Sequence, residues 1–134
     1  MAQVLTPGAI ALIDRPVIGN LATVDSKNRA QVTPIWVDHD GDDIVVNTAR
    51  GRVKANNIER NPYVGLSIVD PDDAYNTVVL RGKVTEITTN GADAHIDSLA
   101  KKYLGVDSYP MRREGEVRIK VRITPEHVMM QPAS

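Results

Sequence analysis

At the centre of the sequence lies the segment Ile44-Val45-Val46-Asn47-Thr48-Ala49-Arg50-Gly51-Arg52-Val53-Lys54-Ala55-Asn56-Asn57-Ile58-Glu59-Arg60-Asn61-Pro62. Its first three residues are β-branched and apolar, which is typical of a buried strand. Gly51 permits a tight turn, and Pro62 ends whatever element lies between them. The segment therefore predicts a strand, a turn and a short helix.

Three cations, Arg50, Arg52 and Lys54, stand at or just before the start of this predicted helix. The N-terminus of a helix carries a partial positive charge, so each cation there is disfavoured by roughly 0.3–1 kcal/mol. A bound anion reverses the sign, because backbone N–H groups and cations then converge on one negative group. Two interpretations remain open, namely three side chains that point into water or a phosphate site.

The composition predicts a sheet protein of one domain, residues 1–134. Hydrophobic residues make up 42% of the chain, but aromatic residues only 4%, with four Tyr, one Trp and no Phe. The core must therefore be built from Val, Ile, Leu and Ala, and these residues favour tightly packed sheet layers.

Charge and cysteine content exclude several classes of function. The net charge of -1 provides no field that would attract nucleic acid or an anionic membrane. Without Cys there is no disulfide, no thiolate nucleophile and no zinc–thiolate site. The sequence contains neither an apolar run of membrane-spanning length nor a signal-peptide pattern, so we expect a cytoplasmic protein.

The order of elements predicts an antiparallel barrel. Hairpin signals separate most of the apolar runs, and only one helix is long. We predict six strands, over Val17–Val24, Ala30–Asp38, Ile44–Val46, Tyr63–Val69, Thr77–Ile87 and Val117–Thr124, and helices over Gly8–Asp14, the central segment and Ala92–Leu104. This pattern is mainly β, and it indicates a closed or half-closed barrel with a few helices.

Two strands carry patterns of their own. The alternation in Val117–Thr124 predicts that Arg118, Lys120 and Arg122 point outward, either as a solvated face that discourages edge pairing or as extra support for an acidic ligand. The run Thr77-Val78-Val79-Leu80 is apolar at consecutive positions, which indicates burial on both faces. In so small a protein, one of those faces is expected to be a subunit interface.

No constellation of catalytic or metal-binding side chains stands out. His39, His95 and His127 are scattered over a turn, a helix and a strand end, and none has a second ligand at metal spacing. Nucleophile, dinucleotide and Walker motifs are absent, and the acidic pairs lie in predicted turns. The sequence thus predicts no catalytic side chain and no metal ligand.

The strand Gln31-Val32-Thr33-Pro34-Ile35-Trp36 contains a proline that cannot donate to a ladder. This strand must lie at an edge or be interrupted, and its free backbone groups could read the edge of a flat heterocycle. A phosphate site beside such a strand, without catalytic side chains, suits a cofactor that carries its own chemistry. Trp36 either lines the cleft or belongs to the core.

Several stretches together resemble the pyridoxamine 5′-phosphate oxidase-like split β-barrels, the FMN-binding split-barrel type. They are Gly19-Asn20-Leu21-Ala22-Thr23-Val24, Ala30-Gln31-Val32-Thr33-Pro34-Ile35-Trp36, and Thr48 to Ile58 with Asn61-Pro62. The later stretches Ile96-Asp97-Ser98-Leu99-Ala100-Lys101-Lys102-Tyr103-Leu104-Gly105 and Tyr109-Pro110 resemble the actinobacterial branch of deazaflavin (coenzyme F420)-dependent reductases.

The resemblance implies a homodimer that binds two cofactors in clefts at the subunit interface. The segment from Thr48 to Lys54 would hold the phosphate, through Thr48, Ala49, Arg50, Arg52 and Lys54. Four residues, Gln31, Val32, Thr33 and Pro34, would border the ring of the cofactor. Tyr75 and Asn76 would come from the second subunit and cover the ring or the substrate.

The resemblance further implies an F420-dependent oxidoreductase that transfers a hydride from the reduced deazaflavin to a small planar acceptor such as an enone, a quinone or a tetrapyrrole. It assigns no proton donor. Two alternatives remain, a flavin mononucleotide-dependent oxidoreductase on the same fold and a non-catalytic protein that binds flavin or deazaflavin.

Overall fold

The computed structural model describes residues 4–131, with only the backbone for Gln131. Within this range the chain forms three helices and seven strands. In chain order they are α1 (Pro7–Ile13), β1 (Ile18–Val24), β2 (Ala30–Trp36), β3 (Asp38–Asp40), β4 (Asp43–Ala49), α2 (Val53–Arg60), β5 (Tyr63–Asp70), β6 (Asp73–Thr88), α3 (Ala92–Leu104) and β7 (Arg118–Gln131).

All strands belong to one antiparallel sheet with the order β2-β1-β5-β6-β7-β4-β3. The two strands at its edges, β2 and β3, are consecutive in the chain and are separated by Val37 alone. The sheet must therefore curl until its edges meet, which makes a barrel with a split. The predicted fold class, a mainly β antiparallel split barrel with a few helices, is confirmed.

The strand count differs from the predicted six because the segment Ala30–Asp38 is two strands. Pairing with β1 ends at Trp36, and the chain then crosses the split so that Asp38 pairs with Val45 on β4. The crossing residue, Val37, is fully buried. A Cβ added at Gly19 would lie 2.6 Å from Cγ2 of Val37, so this crossing requires glycine on β1.

The last turn of α3 holds the crossing in place. The N–H of Val37 donates to the hydroxyl of Tyr103 over 2.9 Å, and that hydroxyl donates to the carbonyl of Val17 over 2.5 Å. The ammonium of Lys102 donates to the carbonyl of Val37 over 2.8 Å. A strand that leaves its ladder thus keeps its backbone groups satisfied.

The barrel interior is aliphatic, as the composition predicts. Its largest fully buried members are Ile13, Ile44, Ile68, Leu80, Ile119 and Ile123. None of the helices in the described range is long and apolar enough to span a membrane.

The two largest differences from the predicted strand boundaries are at the end of β7 and the start of β6. β7 continues past Pro125 to Gln131, because Pro125 lies opposite Gly82 at a shift in register between β6 and β7, where no regular ladder donor is needed. β6 already begins at Asp73, so Tyr75 and Asn76 lie in a strand after a tight turn rather than in a loop.

The predicted solvated face of β7 is wrong at Arg118, which is only 5% exposed. The alternation itself is present, but α3 packs over this side of β4 and β7. On β6 the run of apolar residues alternates, since Val78 and Leu80 are buried whereas Val79 is 45% exposed. The second face of this run is therefore not buried within one chain.

Candidate anion-binding cleft

A cavity of about 300 Å³ opens beside the split of the barrel, where β2, β4, α2 and α3 come together. Its walls come from these elements, from the start of β1 and β7 and from the segment between α3 and β7. The lining residues are Ile18, Pro34, Ile35, Trp36, Asn47, Arg52, Lys54, Ile96, Leu99, Tyr109, Met111 and Arg118.

Three cations, Arg52, Lys54 and Arg118, line this cavity. Gly51 adopts φ +88°, and this left-handed turn starts α2 with Arg52 as its N-cap. The side chain of Arg52 makes no capping hydrogen bond, so within the described residues this N-terminus offers backbone N–H groups to a ligand. Arg118 enters from the opposite wall as the first residue of β7.

One carboxylate serves two of these cations. Glu116, whose side chain is 9% exposed, lies 3.1 Å from Nη1 of Arg118 and 3.5 Å from Nη2 of Arg52. Arg118 also donates from Nε to Oδ1 of Asn47 over 2.8 Å, and its guanidinium lies 5.2 Å from the centre of the Tyr109 ring. We call Arg52, Lys54, Arg118 and Glu116 the cleft cluster.

Lys54 has no acidic partner among the described residues. Its ammonium donates only to Oγ1 of Thr33, over 3.3 Å. Burial lowers the pKa of Lys54, and the charges of Arg52 and Arg118 lower it further. The cleft cluster therefore holds an excess of positive charge at a half-buried position, which an anion would relieve.

The remaining wall is apolar and partly aromatic. Trp36 stacks on Tyr103, with ring centres 5.1 Å apart and planes 12° apart, and meets the edge of Tyr109 at 5.9 Å. These contacts fix the indole beside the cations. The cleft thus combines a charged cluster with a flat apolar surface, as a ligand with an anionic group and a ring system requires.

The structure brings together four of the residues predicted from the sequence. Pro34, Arg52 and Lys54 line the cavity, and Thr33 contacts the ammonium of Lys54.

The neighbouring candidates on β2 and β4 do not line the cavity. Gln31 contacts Thr23, and Val32 is 62% exposed. Thr48 lies opposite Ile119 of the barrel core, and its buried hydroxyl has no hydrogen-bond partner within residues 4–131. Ala49 is buried as well. These residues support the cleft through the backbone of their strands.

Three further candidates lie outside the cavity of their own chain. Arg50 is exposed and pairs with Glu59 at 3.2 Å. Tyr75 is 78% exposed, and Asn76 donates to Asp70 over 3.0 Å. Tyr75 and Asn76 thus do not line the cavity of their own chain.

Sequence reasoning missed several residues of the cleft, chiefly Glu116, Asn47, Tyr109 and Met111, and it offered Arg118 only as one of two alternatives. One signal was available. The amphipathic helix Ala92–Leu104 must cover a sheet face, and the side of β7 that carries Arg118 was a candidate for it. In the described part of the chain, no group of three His, Asp or Glu residues could hold a metal ion.

Comparison with known proteins reveals similarity over nearly the whole chain. The family model described as "Pyridoxamine 5′-phosphate oxidase" matches residues 5–130. Among proteins with curated functions, none matches the sequence significantly.

Solved structures resemble the chain at several levels of identity. A structure described as "F420 Reductase" is 30% identical, with a TM-score of 0.83, over 93% of this chain and 98% of that one. A conserved hypothetical protein from Mycobacterium tuberculosis is 22% identical, with a TM-score of 0.72, over 96% and 85% of the two chains. HupZ from Group A Streptococcus is 21% identical, with a TM-score of 0.69, over 98% and 97%. The last two comparisons concern the fold alone.

Proposed function

Because the chain belongs to the pyridoxamine 5′-phosphate oxidase family, we propose that it is a cytoplasmic oxidoreductase that uses coenzyme F420 to reduce a small planar electrophile. The choice of deazaflavin rests on the 30% identity and the TM-score of 0.83 to the structure described as F420 Reductase. The acceptor would be an enone, a quinone or a tetrapyrrole-like molecule, for which the flat wall around Trp36 is suited.

One observation carries the proposal, the half-buried ammonium of Lys54 that lacks a carboxylate partner among the described residues. A cation in this setting costs free energy unless an anion joins it. With Arg52 and Arg118 lining the same cavity, the donor set fits a phosphate group. The same donors fit the phosphate of flavin mononucleotide, so the cluster alone does not select the ring.

In this proposal Arg52, Lys54 and Arg118 hold the phosphate, and the uncapped N-terminus of α2 adds backbone donors. The backbone of β2 around Pro34 borders the ring system, and Trp36 supplies an apolar wall. The bound deazaflavin would supply the hydride that reduces the acceptor. The protein orients the reactants and keeps the cleft dry, and no side chain serves as nucleophile.

We further propose that two copies of the chain form the functional unit. Val79 and Met129 lie directly opposite each other on β6 and β7, and they are 45% and 59% exposed. Val69 on β5 is 46% exposed. A second copy would cover these apolar side chains, because a self-complementary patch closes most simply as a dimer. Tyr75 and Asn76 would then reach the cleft of the partner.

The cofactor is tested by titrating the purified protein with coenzyme F420 and flavin mononucleotide side by side. We expect the protein to bind F420 and Lys54→Met to bind it more weakly. The matched control Arg50→Ala should keep the affinity of the wild type, since Arg50 lies outside the cleft. Binding of flavin mononucleotide alone would replace the deazaflavin assignment by the flavin-dependent alternative. Equal binding by wild type and Lys54→Met would refute the phosphate site.

Activity is tested by following oxidation of reduced F420 with enone and quinone acceptors. A protein that binds F420 but accelerates no acceptor would be a carrier rather than an enzyme.

The dimer is tested by sedimentation at micromolar concentration. Mixing an Arg52→Ala, Lys54→Ala chain with a chain altered at Tyr75 and Asn76 should restore part of the activity, because one intact site forms in each heterodimer. A monomer with full activity would exclude the shared site.

A further inference from the structure

The side-chain amide of Asn47 has only one reasonable orientation. Its Nδ2 lies 2.9 Å from the carbonyl oxygen of Ala92, which can only accept a hydrogen bond. Its Oδ1 lies 2.8 Å from Nε of Arg118, which can only donate. A flipped amide would place its oxygen against the carbonyl oxygen of Ala92 and its nitrogen against Nε of Arg118. Acceptor would then face acceptor, and donor would face donor. Asn47 therefore presents its oxygen to Arg118 and its nitrogen to α3.

This orientation determines the protonation of His95. The Nδ2 of Asn47 also lies 3.1 Å from Nδ1 of His95, so Nδ1 must accept and carries no proton. The proton of the neutral ring then resides on Nε2, which lies 3.1 Å from Oδ2 of Asp38. The side chain of His95 is 9% exposed and is not among the residues that line the cleft.

We propose that His95 is a positioning residue for the cleft, which acts on the bound anion through Asn47 and Arg118. The ring fixes the amide of Asn47, and the amide fixes Nε of Arg118. In Arg118, Nε donates to Asn47 and Nη1 donates to Glu116 over 3.1 Å. The remaining nitrogen, Nη2, has no partner among the described residues and could donate to the anion. The inference rests on the proposed function only in naming the anion as the phosphate of the cofactor.

A purely structural role of His95 would use the other ring nitrogen. The contact of Nε2 with Asp38 ties α3 to β3, whereas the contact of Nδ1 with Asn47 leads to Arg118. Two substitutions separate these roles, because each places a polar amide atom near the position of one ring nitrogen. His95→Asn places an amide oxygen near the position of Nδ1, and His95→Gln places an amide nitrogen near that of Nε2.

The first measurement needs no ligand and follows the Nε–H resonance of Arg118 by NMR. We expect a protected, slowly exchanging proton in the wild type and in His95→Asn, and loss of protection in His95→Gln. Nitrogen shifts of the wild-type imidazole should show the neutral ring protonated at Nε2. A ring protonated at Nδ1, or equal protection in both variants, would overturn the proposal.

The second measurement is titration with coenzyme F420 and flavin mononucleotide. For whichever binds, His95→Asn should stay within twofold of the wild type, while His95→Gln should bind several-fold more weakly. In an Arg118→Met background the two His95 variants should bind alike, because the residue through which they act is gone.

The two proposals fail separately. If Lys54→Met weakens binding but the His95 variants rank in the opposite order, the positioning role is wrong and the phosphate site stands. If Lys54→Met has no effect, the phosphate site of the proposed function is wrong, and the resonance of Arg118 still decides the role of His95.

Discussion

Arg118 and Arg122 lie on the same side of one strand and end in opposite electrostatic situations. Arg122 meets three carboxylates, with Asp40 at 2.7 Å, Asp43 at 3.0 Å and Glu86 at 3.9 Å. We call these four residues the Arg122 cluster. The cleft cluster, by contrast, holds three cations and one carboxylate, Glu116, which contacts only Arg52 and Arg118.

The pKa values reflect this contrast. Hydrogen bonds to Asp40 and Asp43 raise the pKa of Arg122, whereas burial and two neighbouring cations lower the pKa of Lys54. The Arg122 cluster is complete within the chain and connects strands. The cleft cluster is incomplete, and an anion would complete it. The balance of acidic and basic groups thus distinguishes Arg118 from Arg122, whereas their equivalent places in the alternating pattern do not.

The largest effect that tests the contrast is loss of cofactor binding. Arg52→Ala and Lys54→Met should each weaken the affinity for the cofactor about tenfold or more, because a charge-assisted hydrogen bond contributes roughly 1.5–3 kcal/mol. Fluorescence titration at low and high salt measures this, and higher salt should weaken the wild type too. Arg122→Ala serves as the cation control. If it weakened binding as much as Lys54→Met, the two clusters would not differ in function.

The next effect concerns stability. Arg122→Ala should lower the free energy of unfolding by about 0.2–1 kcal/mol, the range for solvent-exposed ion pairs. The pKa of Asp40 is lowered by Arg122, so the stability from this pair should be present at neutral pH and fade as the pH falls through that lowered pKa. Urea unfolding between pH 7 and pH 3 checks both points. If the loss of stability at low pH were the same in Arg122→Ala and the wild type, the ion pair between Arg122 and Asp40 would not contribute to it.

The smallest expected effect is a gain in stability rather than a loss. Without ligand, Lys54→Met should be slightly more stable than the wild type at neutral pH, because it removes a disfavoured charge. The folded wild type releases the Lys54 proton at lower pH than the unfolded chain does, so its stability should rise with pH through that window. The advantage of Lys54→Met should therefore shrink in alkaline solution. Urea unfolding at neutral and alkaline pH measures the difference in stability. If Lys54→Met were less stable than the wild type at neutral pH, the charge of Lys54 would not be disfavoured in the folded protein.

Most of the fold follows from the sequence. Periodicity identified the helix Ala92–Leu104 with its bounds, and the resemblance to the split-barrel family with its F420 reductases is confirmed by the match over residues 5–130 and by the 30% identical structure. A glycine inside a strand, as at Gly19, is typical of a close approach, and the crossing of Val37 provides it. Local patterns such as these report on local geometry reliably.

The site was less accessible from the sequence, for a physical reason. Arg52, Lys54 and Pro34 belong to contiguous motifs, but Arg118 joins them from far along the chain. Its place in an alternating strand predicts only that it faces away from the core. Whether that face is open to water depends on where α3 packs, which is a long-range contact. In the proposed dimer, the residues opposite Tyr75 and Asn76 would come from a second chain and would be equally non-local.

The order of the sheet has a consequence for how the polypeptide reaches its folded state. β7, the last of the described strands, lies between β6 and β4 rather than at an edge. Until it arrives, β4 and β6 each expose an unpaired row of N–H and C=O groups, and β4 has only the three-residue strand β3 beside it. A growing chain would therefore carry two open edges until β7 pairs, and folding would be slow because its decisive pairings are long-range. Removal of β7 should consequently produce an aggregating polypeptide rather than a smaller barrel.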